Sequence, residues 1–191
     1  MNPFAYLLND RPIRVAGQLF LVLAASLLIA LSAKVSIPFY PVSMTMQTAV
    51  ILALSLAVGA TRAGLIVGCY LLEGAVGLPV FTGTPERGIG LAYMLGPTGG
   101  YLLGFFVAAV ACGYLADRGW GKSFPKACVA AALGTVCVFV PGLAWLAVLV
   151  GWSPHVLEVG LYPFAWAAVL KTLLAAAAGT GVRRIVGGRA M

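Results

Sequence analysis

A lysine within an apolar segment is the residue of this chain that most clearly implies chemistry. Lys171 is the eleventh of 22 residues in segment 161–182, about 15 Å from either end if that segment is a helix. An ammonium group at the centre of a membrane costs about 2.5–3.5 kcal/mol, so we expect Lys171 to face the protein interior and to have a partner. The partner is either a ligand carboxylate or Glu73 of segment 63–77. In the second case the pair only holds two helices together.

An amide, a glycine cluster and several aromatic rings are further candidates for ligand contact. Gln47 lies near the start of segment 43–60, beside Thr45, and its amide suits either a polar ligand edge or a neighbouring helix. Three glycines within 96–101 allow close backbone approach, again to a ligand or to a helix. Isolated aromatic residues fit a flat apolar ligand and a membrane interface equally well; they are Tyr40, Phe81, Tyr93, Tyr101 and Trp166.

Catalytic, metal and nucleotide sites are not indicated. The single histidine, His155, lies between apolar segments, and those segments contain no carboxylate pair or serine–histidine arrangement. The four cysteines form no C-x-x-C pair and have no histidine neighbour, which favours free thiols. Residues 116–123 loosely match a phosphate-binding loop but follow an apolar segment instead of a strand. We therefore expect a binding or transport protein without a cofactor or metal, and not an enzyme.

The composition places the chain in a membrane. Hydrophobic residues make up 62% and charged residues 9%, against about 45–50% and about 25% in soluble domains. Such a composition also excludes a disordered chain. The formal net charge of +7 is compatible with a nucleic-acid partner. The positions of the positive charges, however, indicate membrane topology instead, so no nucleic-acid partner is expected.

Six apolar segments predict an all-α membrane protein with six transmembrane helices in one domain, residues 1–191. The segments are 15–33, 43–60, 63–77, 96–116, 127–150 and 161–182. Pro97 is expected in the first turn of the fourth helix, and Pro141 predicts a kink in the fifth. An alternative with an odd number of spans treats the second and third segments as one re-entrant hairpin. Residues 1–14 are interpreted as a cytoplasmic lead-in and not as a signal peptide.

The distribution of Lys and Arg predicts that both termini are cytoplasmic. With the amino terminus inside, nine positive residues fall on the cytoplasmic side; they are Arg11, Arg14, Arg62, Arg118, Lys122, Lys126, Arg183, Arg184 and Arg189. Only Lys34 and Arg87 fall in outer loops, which is a clear positive-inside bias.

Two further segments have a composition with a structural meaning. Residues 78–91 form an outer loop with two prolines and three glycines, which favours an ordered turn structure able to cover a cavity that opens outward. Ser26 and Ala30 form a small-xxx-small pair in the first segment, a candidate docking face for another membrane protein.

Four motifs in the order found here resemble those of the BioY family. They are Pro-Val-Ser-Met-Thr-Met-Gln at 41–47, Ala-Thr-Arg-Ala-Gly at 60–64, Gly-Ala-Val-Gly-Leu-Pro-Val-Phe at 74–81 and Gly-Pro-Thr-Gly-Gly-Tyr-Leu at 96–102. Members of this family are the biotin-specific substrate-binding (S) components of energy-coupling factor (ECF) transporters. The resemblance implies a six-helix S-component bundle with a biotin pocket near the outer face. It also implies partner subunits, namely a transmembrane coupling protein and ATP-binding-cassette ATPases.

The resemblance also implies site residues. Gln47, Gly77, the Thr82–Gly83 turn, Tyr93 and Lys171 match pocket positions of the family or their immediate neighbours. In the sixth span of the family, Pro-Phe is followed by an aspartate and, three residues later, a lysine. Pro163, Phe164 and Lys171 match that pattern here, but Ala168 stands in the place of the aspartate. Glu73 or the carboxylate of the ligand then takes the role of counter-charge to Lys171.

The function that the resemblance implies is high-affinity biotin uptake across a bacterial cytoplasmic membrane by a multi-pass subunit, with ATP hydrolysed by its partners. Two alternatives remain open. The substrate is another vitamin or a biotin precursor, as the alanine at 168 allows, or the chain is a structural or assembly protein whose Lys171–Glu73 pair braces two helices.

Overall fold

The fold is a bundle of helices with one short β-hairpin, seen in a computed structural model that describes residues 12–84 and 88–188. The elements in chain order are α1 (Pro12–Lys34), β1 (Ser36–Ile37), β2 (Met44–Thr45), α2 (Gln47–Val58), α3 (Ala60–Ala75), α4 (Gly90–Met94), α5 (Gly99–Asp117), α6 (Phe124–Val150), α7 (His155–Gly160) and α8 (Ala165–Gly188). Single 3₁₀ turns at Trp120–Lys122 and Tyr162–Phe164 precede α6 and α8.

Four helical segments within the described residues are long and apolar enough to cross a membrane, which confirms a membrane protein. They are Val15–Lys34, Gly99–Asp117, Phe124–Val150 and His155–Ile185. The helix α2 is apolar but has only 12 residues, about 18 Å at 1.5 Å per residue, which is shorter than a hydrocarbon core of about 30 Å. Its neighbour α3 has 16 residues.

Several helices begin at residues other than the starts of the predicted apolar segments. The second apolar segment becomes helical only at Gln47, because the residues before it form an antiparallel hairpin in which Ser36 pairs with Thr45. Pro97 precedes α5 instead of lying in its first turn, since the helix begins at Gly99. The last long helix, α8, begins at Ala165 after a 3₁₀ turn, so Lys171 is about 9 Å along α8 from its first residue but close to the middle of the apolar segment His155–Ile185.

Small residues set the distance between α5 and α6. A Cβ atom on Gly100 would meet the backbone of Pro141, and one on Gly104 would lie 2.7 Å from the carbonyl oxygen of Val138. The backbones of the two helices therefore touch, as membrane helices do where glycine permits it. For the glycine cluster at 96–101, the structure accordingly shows close approach to a neighbouring helix. The helix α6 runs through Pro141 without ending there.

One end of the bundle is held together by a side chain far away in sequence. The helices α2 and α3 are separated by Gly59 alone, which has a φ of +85°. The exposed first backbone N–H group of α3, on Ala60, donates to Oδ2 of Asp117 at 2.9 Å. Arg183 of α8 donates to the carbonyl oxygen of Leu56 at 2.9 Å and lies 3.7 Å from Oδ1 of Asp117. Asp117 at the end of α5 thus caps α3 and lies beside α8.

The face of α1 predicted for docking is covered by the chain itself. Ser26 is 1% exposed and Ala30 is 7% exposed. The hydroxyl of Ser26 donates to Oε1 of Glu73 on α3 at 2.7 Å. Elsewhere on α1, large apolar side chains are more than half exposed, among them Phe20 and Leu31. The small residues therefore join α1 to α3, and the large ones face outward.

Candidate ligand-binding site

A cavity of about 550 Å³, its open mouth included, lies between α2, α5, α6 and α8 at the end of the bundle that carries the hairpin. Its polar lining residues are Ser43, Thr45, Gln47, Thr48, Thr82, Thr98, Thr135 and Lys171. Most of the remaining wall is apolar or aromatic and includes Tyr101, Phe105, Val138, Phe139 and Phe164. An apolar enclosure with a few convergent polar groups is typical of small-molecule sites.

Lys171 is the one charged residue among the described residues that line this cavity. The side chain is 9% exposed. Within the described parts of the chain, its ammonium group makes no ion pair and no hydrogen bond. A cation in such a position requires an anionic or polar partner to offset the loss of water.

Glu73 does not supply that partner. Its carboxylate accepts a hydrogen bond from Ser26 at 2.7 Å and one from the thiol of Cys69 at 3.5 Å. Neither Glu73 nor any other residue of α3 lines the cavity. The brace between Lys171 and Glu73, one of the two alternatives for the lysine, is therefore not formed.

Gln47 is held in one orientation by its neighbours. Its Oε1 accepts from the hydroxyl of Thr45 at 3.0 Å, and its Nε2 donates to the hydroxyl of Tyr70. The hydroxyl of Tyr70 in turn donates to the carbonyl oxygen of Val80 at 3.3 Å. Because that hydroxyl has a single proton, it can only accept from Gln47, which fixes the NH₂ side of the amide. The second N–H of Nε2 has no partner among the described residues.

Gly77 and Gly83 shape the segment beside the cavity, through their backbone conformation. Gly77 has a φ of +96° and donates to the carbonyl oxygen of Gly74, while Leu78 donates to that of Glu73. Together these bonds form a Schellman motif that ends α3, for which glycine is the favoured residue. Gly83 has a φ of +68° directly after Thr82, which itself lines the cavity.

Tyr93 belongs to a buried aromatic cluster next to the cavity. Its ring stacks on Phe81 at a centroid distance of 4.9 Å, and Phe81 meets Tyr70 edge to face at 5.5 Å. Phe81 is 1% exposed and occupies the space above Gly74, where no Cβ would fit. The cluster fixes the backbone on either side of Phe81, including Thr82.

The structure thus brings three of the seven predicted site residues into one cavity, namely Gln47, Thr82 and Lys171. The other four lie outside its lining: Glu73, Gly77, Gly83 and Tyr93. That any of the seven contacts a ligand remains a prediction. Of the aromatic candidates, Tyr101 lines the cavity, whereas Tyr40 and Trp166 are 89% and 87% exposed and suit a membrane interface.

Thr135 and Tyr70 are among the polar residues in or beside the site that the sequence-based prediction did not name. Thr135 on α6 lines the cavity, and its hydroxyl lies 3.1 Å from that of Thr172 on α8. Tyr70 connects Gln47 to Val80. Each is a hydroxyl inside an apolar segment, and such groups need partners within the protein. A hydroxyl within an apolar segment can therefore be recognised from the sequence as a group that needs a hydrogen-bond partner. Only the packing of the helices shows which residue that partner is.

Known proteins are similar to this chain over nearly its full length. The BioY family model matches residues 8–188. The biotin transporter BioY of Thermotoga maritima is 34% identical over 149 residues, which are 78% of this chain and 85% of that protein. A probable biotin transporter BioY of Pyrococcus horikoshii is 30% identical over 84% of this chain and 92% of its own length.

The fold also matches a solved structure. The crystal structure of the S-component for biotin from an ECF-type ABC transporter superposes with a TM-score of 0.79, at 21% identity, over 94% of this chain and 95% of that one. Sequence and fold agree, and this chain belongs to the BioY family.

Proposed function

We propose that this chain is the biotin-binding subunit of an ATP-driven vitamin importer in a bacterial cytoplasmic membrane. Its relatives are named biotin transporters, and the similar solved structure is an S-component for biotin. The observation that carries the proposal is the Lys171 ammonium, which enters an otherwise neutral, mostly apolar cavity without a protein partner among the described residues. Biotin has an apolar body, a polar ring with N–H and C=O groups, and one carboxylate, which complement such a cavity.

The roles of the site residues follow from their chemistry. Lys171 binds the carboxylate of the ligand. That carboxylate is the counter-charge that an aspartate at position 168 would otherwise provide. Gln47 donates its remaining N–H to the polar ring of the ligand, and the aromatic side chains of the cavity contact its apolar body. Thr82 covers the bound ligand. No cofactor or metal takes part, and the chain performs no catalysis of its own.

The same proposal includes a topology of six transmembrane helices with both termini inside. The contacts support an alternating path, because Lys34 lies near Phe81 at the cavity end, whereas Asp117, Arg183 and the start of α3 meet at the opposite end. The predicted cytoplasmic charges Arg118 and Lys122 follow α5 at that opposite end. The cavity therefore opens outward, and the short helices α2 and α3 cross with help from their flanking turns.

Transport requires partners that this chain does not contain. An ECF-type coupling subunit in the membrane and two ATP-binding-cassette subunits are the partners we propose, since the matching fold is that of a component of such a transporter. Biotin is captured at the outer face, enclosed, and released inward when the coupling subunit reorients this one.

Equilibrium binding of biotin and of its neutral carboxamide to the purified protein tests the proposal. We expect tight binding of biotin and binding of the carboxamide that is weaker by about tenfold to a hundredfold, because a hydrogen bond to a charged group contributes about 1.5–3 kcal/mol. Lys171→Met should lose the same factor for biotin and bind the two ligands about equally. Lys126→Met, which removes an exposed lysine at the opposite end, is the matched control.

Two outcomes contradict the proposal. One is a wild-type protein that folds but binds no biotin. The other is a Lys171→Met variant with the wild-type preference for biotin over its carboxamide, since the lysine would then not bind the carboxylate.

A second substrate is favoured by one observation. Ala168 lines the cavity at the position where the family pattern has an aspartate, so the cavity offers one acceptor fewer for ligand N–H groups. A biotin precursor or another anionic vitamin with fewer N–H donors suits that wall as well. Competition of labelled biotin by unlabelled vitamins and precursors distinguishes the two substrates.

A further inference from the structure

Residues 80–84, here called the cover segment, reach the cavity through Thr82. Thr82 lines the cavity and is 4% exposed, and the neighbouring ring of Phe81 is 1% exposed. The position of Thr82 therefore depends on what holds the backbone next to it.

Two helices hold the two carbonyl groups that precede Thr82. The hydroxyl of Tyr70 on α3 donates to the carbonyl oxygen of Val80 at 3.3 Å. The ammonium of Lys34, the last residue of α1, donates to the carbonyl oxygen of Phe81 at 3.0 Å and also to the hydroxyl of Thr84 at 3.2 Å. The hydroxyl of Thr84 donates to that same Phe81 carbonyl at 2.7 Å.

The hydrogen bond from Tyr70 to Val80 is also linked to the lining of the cavity through Gln47. Gln47 lines the cavity, is 3% exposed and donates to the hydroxyl of Tyr70. A ligand that accepts the other N–H of Gln47 restrains the amide in the orientation that serves Tyr70. Tyr70 then directs its only proton to Val80. Binding of a ligand in the cavity therefore strengthens the hydrogen bond from Tyr70 that restrains the cover segment.

We propose that Tyr70 and Lys34 are positioning residues that keep the cover segment closed over a bound ligand, and that Gln47 links the ligand to Tyr70. Neither Tyr70 nor Lys34 lines the cavity, so each acts through the cover segment and not by contact with the ligand. The inference rests on the proposed function for the identity of the ligand, biotin. It predicts that losing either donor accelerates escape of the ligand and leaves capture unchanged.

The test compares association and dissociation rates of biotin for the wild type, Tyr70→Phe, Lys34→Met and Lys34→Arg. Tyr70→Phe keeps the ring against Phe81 but removes both hydrogen bonds of the hydroxyl, to Val80 and from Gln47. It should raise the dissociation rate by at least about threefold to tenfold, the effect of losing one neutral hydrogen bond, at an unchanged association rate. Lys34→Met should raise the dissociation rate only about twofold to threefold, because interactions of an exposed lysine are weak. Lys34→Arg keeps a positive donor and should have a dissociation rate close to that of the wild type. Tyr114→Phe, which alters an exposed tyrosine of α5, is the matched control.

A second measurement separates this inference from the proposed function. Amide hydrogen exchange of the peptide that covers residues 80–84, without ligand, should be faster in Tyr70→Phe and Lys34→Met than in Tyr114→Phe. If the wild type binds no biotin, the proposed function fails, and the exchange data still decide whether the two donors hold the segment. Exchange equal to that of Tyr114→Phe, or variants that slow association instead of hastening dissociation, would overturn the inference.

Discussion

Ala168 and Lys171 are three residues apart on α8, and both line the same cavity. On a helix this spacing places two side chains on one face, so an aspartate at 168 would reach the ammonium at 171. The hydroxyl of Thr172 donates to the backbone carbonyl of Ala168 and not into the cavity. The lysine thus lacks the neighbouring carboxylate that the family pattern supplies.

The missing carboxylate leads to the first prediction. Ala168→Asp should weaken binding of biotin about tenfold or more, because the new carboxylate pairs with Lys171 and repels that of the ligand. Binding of the neutral carboxamide should change much less. Ala168→Asn, similar in size and uncharged, is the control for both ligands. Tighter binding of biotin to Ala168→Asp would mean that the N–H groups of the ligand, and not its carboxylate, lie against α8.

The contact between α5 and α6 gives a second prediction. Gly104→Ala should lower the free energy of unfolding by about 1–3 kcal/mol, because the added methyl group meets the backbone at Val138. It should also weaken biotin binding, since Phe105 and Val138 line the cavity. Thermal unfolding in detergent measures the first effect. Gly181→Ala, with open space around the new methyl group, should stabilise slightly, by up to about 1 kcal/mol through helix propensity, and equal effects of the two substitutions would contradict this packing.

A third prediction concerns the remote cap of α3. Asp117→Ala should reduce the free energy of unfolding by about 0.5–2 kcal/mol, the usual cost of a lost helix cap, and leave biotin affinity unchanged because Asp117 is far from the cavity. Asp117→Asn retains an acceptor for Ala60 and should retain most of the stability. If the asparagine were as damaging as the alanine, the ion pair with Arg183 would be the more important contact.

The orientation in the membrane gives a fourth prediction. In intact cells, a membrane-impermeant maleimide should label Ser153→Cys, which precedes α7, but should label Lys126→Cys only after the cells are opened. Both positions are exposed. The parent chain is the background control, because its four free cysteines lie within the helices. Labelling of Lys126→Cys in intact cells would reverse the proposed topology.

The sequence by itself determined the class of protein and the most informative residue. Hydropathy depends on neighbouring residues only, so the apolar segments and the membrane assignment followed directly from composition. The cost of a charge among apolar residues marked Lys171 as a group that must face the interior. The starts of α2 and α5 were misplaced by four and three residues, because hairpin pairing and turns around proline compete locally with helix formation.

Only the tertiary structure decided which polar groups meet. Glu73 bonds to Ser26, 47 residues away, instead of to Lys171, and Asp117 caps a helix whose first residue is 57 positions earlier. The hydrogen bonds from Gln47 through Tyr70 to Val80 join two helices and the cover segment. Such pairings are set by which helix faces pack together. Helix packing is determined by shape complementarity over the whole bundle, and no local pattern of residues contains that information.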